Sequence, residues 1–119
     1  MEEKVIDAKA GALITKVTEK VAGLADNYPE GEQLHLANQL RYSASVISIG
    51  LDIIKTNLSQ QEFTRRIERI ENSLLEVINN LKIALIRQYI NKNDYDETGN
   101  LIGRLHCKLI TLKESFPSG

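Results

Sequence analysis

This sequence predicts an all-α fold, an up-down-up-down antiparallel four-helix bundle, and three observations carry that prediction. Apolar residues recur at steps of three and four in four separate segments, the spacing of one face of a helix. Aromatic residues make up 5% of the 119-residue chain, with 2 prolines and 7 glycines, too few turn formers for a strand-rich architecture. The links between the periodic segments are short, so consecutive helices must fold back on one another. A single domain over residues 1–119 is expected, with helices at about 4–26, 31–57, 60–89 and 95–115.

The first helix is read from Ile6, Ala10, Leu13, Val17, Val21 and Leu24, which share one face. It ends at Asp26-Asn27, where Tyr28-Pro29-Glu30-Gly31 interrupts the pattern; proline disfavours helix in the residue before it and suits a first helical turn. The second helix carries Ala37, Leu40, Ala44, Ile47, Leu51, Ile54 and Leu58 in alternating threes and fours, a heptad pattern. Ser59-Gln60-Gln61-Glu62 has the form of a capping box and opens the third helix. Its stripe is Phe63, Ile67, Ile70, Leu74, Val77, Leu81 and Ala84. Asn91-Lys92-Asn93 breaks that helix, and Asp94-Tyr95-Asp96-Glu97 gives an acidic start to the fourth. The fourth stripe reads Thr98, Leu101 with Ile102, Leu105, Leu109, Leu112 and Phe116, before Pro117-Ser118-Gly119. Gly99 and Gly103 fall inside this helix, where each costs up to about 1 kcal/mol against alanine; close helix approach is the expected reason.

Helix two holds more apolar surface than one core requires. Tyr42, Val46, Ile49 and Ile53 lie almost opposite its core stripe, and an apolar patch of that extent marks an interaction surface. Helix three adds Leu75, Ile78, Leu85 and Ile86 beside its own stripe. Homo-oligomerisation through Tyr42, Val46, Ile49 and Ile53 is the expected use; the alternative is a bundle that buries both sides of helix two internally.

Charge excludes other classes. Fifteen Lys+Arg against sixteen Asp+Glu give a net charge of −1, so no global field recruits nucleic acid or an anionic membrane. The start, Met1-Glu2-Glu3-Lys4, lacks the form of a secretory signal, and the apolar stretch Ala44 to Ile54 is too short and too interrupted to span a bilayer. A single cysteine, Cys107, suits a reducing compartment, and a cytoplasmic protein is expected. Local basic clusters remain: Arg65, Arg66 and Arg69 could contact phosphates, although Glu62, Glu68 and Glu71 at i±3 or i±4 favour a face laced with ion pairs.

Catalytic and metal patterns are weak. Glu32-x-x-His35 is half of a di-iron signature, but Gly103 stands where His106 would need its glutamate. Helical ribonucleases of the HEPN type separate an Arg from a His by four to six residues, and positions 28–30 and 99–101 hold no arginine. His35 reads as a surface or interface residue, His106 as a partly buried, hydrogen-bonded histidine beside the core, and Cys107 as a packing or flank residue. No catalytic residue, cofactor or metal site is expected.

Several strings, in order, resemble the bacterial four-helix bundle proteins first noticed as reading frames within intervening sequences of 23S ribosomal RNA genes. They are Tyr28-Pro29 with the acids that follow, Gln39-Leu40-Arg41, Glu62-Phe63, and Ser73-Leu74-x-Glu76 leading to Leu81. The chain departs from that pattern at Tyr42 in place of a second arginine, at Ser48 in place of a proline, and at Gly50-Leu51-Asp52-Ile53-Ile54. The resemblance implies a bundle assembling as a ring, with pentamers known in the family. One branch, the accessory variability determinant of diversity-generating retroelements, is basic and binds a reverse transcriptase and nucleic acid. The leading expectation is therefore a non-enzymatic, self-assembling scaffold or adaptor, with another protein as a further partner. The alternative is an accessory nucleic-acid-binding protein using Arg41, Arg65, Arg66, Arg69, Arg104 and Lys108; a metal-dependent bundle enzyme ranks third.

Overall fold

The computed structural model of the chain describes residues 8–115, which form four α-helices and no strand. They are α1 (Ala8–Asp26), α2 (Leu36–Ile54), α3 (Gln60–Ile86) and α4 (Lys92–Glu114). Each helix packs chiefly on two others: α1 on α2 and α4, and α3 on α2 and α4. The result is a helical bundle 50 Å long and 24 by 18 Å across. Along the α2–α3 seam Leu36 meets Asn80, Ser43 meets Glu76, and Gly50 lies against Ile70, so numbers fall on α3 as they rise on α2.

The helical stripes form the core. Ala10, Leu13, Val17, Val21 and Leu24 on α1 are buried, as are Ala37, Leu40, Ala44, Ile47, Leu51 and Ile54 on α2. All seven stripe residues of α3, from Phe63 to Ala84, are buried. On α4 the buried positions are Thr98, Ile102, Leu105 and Leu109, with Leu101 and Leu112 partly covered. Ile6 and Phe116 lie outside the described residues, as does the expected start of helix one at residues 4–7.

Four helix boundaries differ from the sequence expectation. Helix two begins at Leu36, not near residue 31, because Glu30–Glu32 is a 3-10 turn whose amides bond three residues back. Gln33 stabilises that turn by donating to the Ala25 and Tyr28 carbonyls at 3.0 and 2.8 Å, tying it to the chain where α1 ends. Helix two also stops at Ile54, short of residue 57. Helix three ends at Ile86 instead of residue 89, where Gln88 takes φ of 66° and the Tyr89 amide reaches the Ala84 carbonyl, a left-handed helix cap. Helix four begins at Lys92 and not at 95: the cap is Asn91, whose Oδ1 accepts from the Asp94 amide at 2.7 Å. Ser59 caps α3 as its motif predicts, accepting from the Glu62 amide.

A polar knot ties the α1–α2 corner to α3. Tyr28, 3% exposed, donates from its hydroxyl to Asn80 Oδ1 at 2.8 Å, and Asn80 Nδ2 donates to the Leu36 carbonyl at 2.9 Å. Glu32 accepts from Arg87 and from the Tyr89 hydroxyl, each at 2.9 Å, while the Tyr28 and Tyr89 rings lie 5.6 Å apart. Gly50 does for α2 and α3 what Gly99 and Gly103 were expected to do on α4. A Cβ at Gly50 would come within 2.6 Å of Ile70, whereas one at Gly99 or Gly103 would meet nothing within 4 Å.

Candidate interaction surface

The outer face of α2 follows from its periodicity: with one stripe turned into the core, Tyr42, Val46, Ile49 and Ile53 stand on the other side. Tyr42 and Ile49 are 63% and 57% exposed, while Val46 and Ile53 are half-buried. The bundle therefore does not bury both sides of α2. These four residues line a groove of about 290 Å³ between α2 and α3, floored by Gly50 and Ile70, and Arg66 and Arg69 form its far wall. The apolar and basic candidates thus meet on one surface. A second groove of about 590 Å³ continues from Tyr42 toward the other end, past Ser43, Glu76, Asn79 and Ile83. Leu75 and Ile86 are exposed, while Ile78 and Leu85 pack against the core.

The expected neutralisation of the α3 arginines does not occur. Glu71 and Glu68 turn across to α4, where Lys113 lies 3.0 Å from Glu71 and 3.8 Å from Glu68; the bond to Glu71 holds the Lys113 ammonium above its ordinary range. Glu71 also takes His106 Nε2 at 3.2 Å. Among the described residues Arg65, Arg66 and Arg69 have no ion pair or hydrogen bond, and all three are exposed. The acids were close enough along α3, but pairing with α4 fastens two helices together as well as neutralising charge.

The six basic candidates fall into three groups. Arg41 is committed to the α1–α2 corner, donating to Asp26 and Gln33 at 2.8 Å each and to Asn38 at 3.3 Å. Arg65, Arg66 and Arg69 stand on α3, and of these Arg66 and Arg69 line the groove beside the outer face of α2. Arg104 and Lys108 lie on α4 in a groove against α1, on the opposite side of the bundle.

Neither histidine occupies a metal-binding arrangement. His106 is exposed and bonded to Glu71, not partly buried beside the core. His35 is exposed at the N-cap of α2, and the carboxylate of Glu32 is held by Arg87 and Tyr89. Cys107 is exposed. Among the described residues no group of three or more His, Cys, Asp or Glu could hold a metal ion, and no helix is long and apolar enough to cross a membrane. The chain matches no protein-family model, and no curated protein matches it at a significant level.

Proposed function

We propose that this protein is a non-enzymatic, up-down-up-down four-helix bundle that assembles into a homo-oligomer through the outer face of α2 and serves as a scaffold or adaptor. The observation that carries this reading is the exposure of Tyr42 and Ile49 in one continuous face with Val46 and Ile53. Covering the exposed part of these two side chains contributes a share of the roughly 1.5–3 kcal/mol that full burial of a large apolar side chain is worth, which favours association. The falling register along the α2–α3 seam and the short links support the antiparallel topology. The resemblance to the 23S intervening-sequence proteins adds a ring, with five copies as the count it implies.

Size-exclusion chromatography of charge-bearing variants tests the face. Ile49→Asp should elute as a smaller species than the wild type while keeping its helical circular dichroism, because a carboxylate in place of the apolar side chain must be desolvated to enter the contact. Leu75→Asp, on α3, should leave the wild-type elution unchanged. If Leu75→Asp dissociates the protein and Ile49→Asp does not, the proposed interface is wrong.

A second reading, an accessory nucleic-acid-binding protein, is favoured by the unpaired Arg65, Arg66 and Arg69. It requires salt-sensitive binding of RNA or DNA that Arg65→Glu with Arg69→Glu abolishes. Binding unchanged by that double reversal would remove it.

A further inference from the structure

The bundle's other basic cluster has a form that suits a small ligand. Between α1 and α4 lies a groove of about 550 Å³ lined by Ala12, Leu13, Lys16, Arg104, Cys107, Lys108 and Thr111. Its lining sets three small side chains, Ala12 on α1 and Cys107 and Thr111 on α4, among Leu13 and three long cations. Lys16 enters from α1; Arg104 and Lys108 stand one turn apart on α4, about 6 Å along the helix axis.

Most other cations on these helices and their corners find an acid. Lys20, one turn beyond Lys16, takes Glu97 at 2.8 Å and Asp94 at 3.9 Å. Their hydrogen bond holds the Lys20 ammonium above its ordinary range and the Glu97 carboxyl below its own. Arg41, Arg87, Lys92 and Lys113 are likewise paired. Lys16, Arg104 and Lys108 have no hydrogen bond or ion pair among the described residues. Three like charges gathered on one groove, with no acid among its described lining residues, repel one another, and an anion seated among them relieves that repulsion.

We infer that the α1–α4 groove binds a small anion carrying two or more linked phosphates, a pyrophosphate or the polyphosphate of a nucleotide. The Arg104 guanidinium supplies the planar fork that engages two phosphate oxygens together, and Lys16 and Lys108 supply point charges on either side. The volume is within the range of small-ligand sites, and three cations match a linked polyphosphate better than one phosphate group of charge about −1.5 to −2. A nucleic-acid strand fits less well. Its backbone needs a track of cations, and the remaining unpaired arginines stand on α3, with Arg66 and Arg69 across the bundle in the α2–α3 groove.

Cys107, the only cysteine, lines the groove and reports its occupancy. Titration calorimetry of the full chain with sodium pyrophosphate, with ATP and with a single-stranded oligonucleotide separates the sources of the phosphate, and iodoacetamide alkylation of Cys107 locates the site. The expected result is binding of pyrophosphate, ATP or both that slows alkylation at least threefold. Arg104→Glu with Lys108→Glu should weaken this binding tenfold or more, Arg66→Glu with Arg69→Glu should leave it intact, and neither pair should alter the helical circular dichroism. Preference for ATP over pyrophosphate assigns the ligand as a nucleotide, and equal binding assigns the polyphosphate alone. The inference is overturned if neither ligand binds at millimolar concentration, if the Arg104 and Lys108 reversals leave affinity unchanged, or if only the oligonucleotide binds. It is independent of the oligomer interface, since a monomer binding pyrophosphate here and an oligomer failing to bind are both readable outcomes.

Discussion

Asn80 sits in the core with both halves of its amide engaged, and its contacts reach the α1–α2 corner and the first turn of α2 at once. Removing it takes the acceptor from the buried Tyr28 hydroxyl and leaves the Leu36 carbonyl with its helical bond alone. Asn80→Ala should therefore destabilise the protein by about 1–3 kcal/mol in urea unfolding, the cost of one orphaned buried group. Tyr28 adds a pH signature. Its burial pushes the phenol well above the ordinary tyrosine range, so the folded chain holds this proton more tightly than the unfolded chain. The resulting stability is complete below pH 10, the ordinary value, and is lost as pH rises toward the folded-state value. Lys20 and Lys113, both raised, act in the same direction. Subtracting the Tyr28→Phe stability curve from that of the wild type should isolate a tyrosine contribution that declines above pH 10; parallel curves would contradict it.

At the scale of the element, core stripes were more legible in the sequence than ends. Every α3 stripe residue from Phe63 to Ala84 is buried because a 3.6-residue period leaves few other ways to hide seven apolar side chains. The start of α2 was hidden because the deciding interaction is Gln33 reaching back eight residues to Ala25, which periodicity does not encode. The start of α4 was misplaced because Asn91 and Asp94 are both capping residue types, and only the geometry shows Asn91 accepting from the Asp94 amide. Asn91→Ala should cost about 0.5–2 kcal/mol. The glycines separate by environment. Gly103→Ala, into open space, should stabilise the isolated fold by up to about 1 kcal/mol. Gly50→Ala, driven into the buried Ile70, should offset that gain with an overpacking cost of about 1–3 kcal/mol. Thermal melts of the two variants should therefore move apart, with Gly103→Ala the more stable.

For the whole molecule, the grooves divide the surface into two sides of different chemistry. The α2–α3 side joins an apolar face to two arginines, and the α1–α4 side gathers three cations around a groove of small side chains. The near-neutral net charge conceals this division, because acids that balance the total are spent on pairs elsewhere, such as Glu71 with Lys113 and Glu97 with Lys20. The apolar stripe of α2 was visible in the sequence from its spacing alone. The freedom of the α3 arginines was not, since spacing along one helix cannot reveal that Glu68 and Glu71 turn to another. The proposed assembly depends on the outer face of α2 as a contact between copies of this chain. Multi-angle light scattering of the wild type at tens of micromolar tests that claim most directly. A mass that is a multiple of the 13.4 kDa chain, falling to one chain in Ile49→Asp, is the predicted result; a wild-type mass of one chain at that concentration would contradict it.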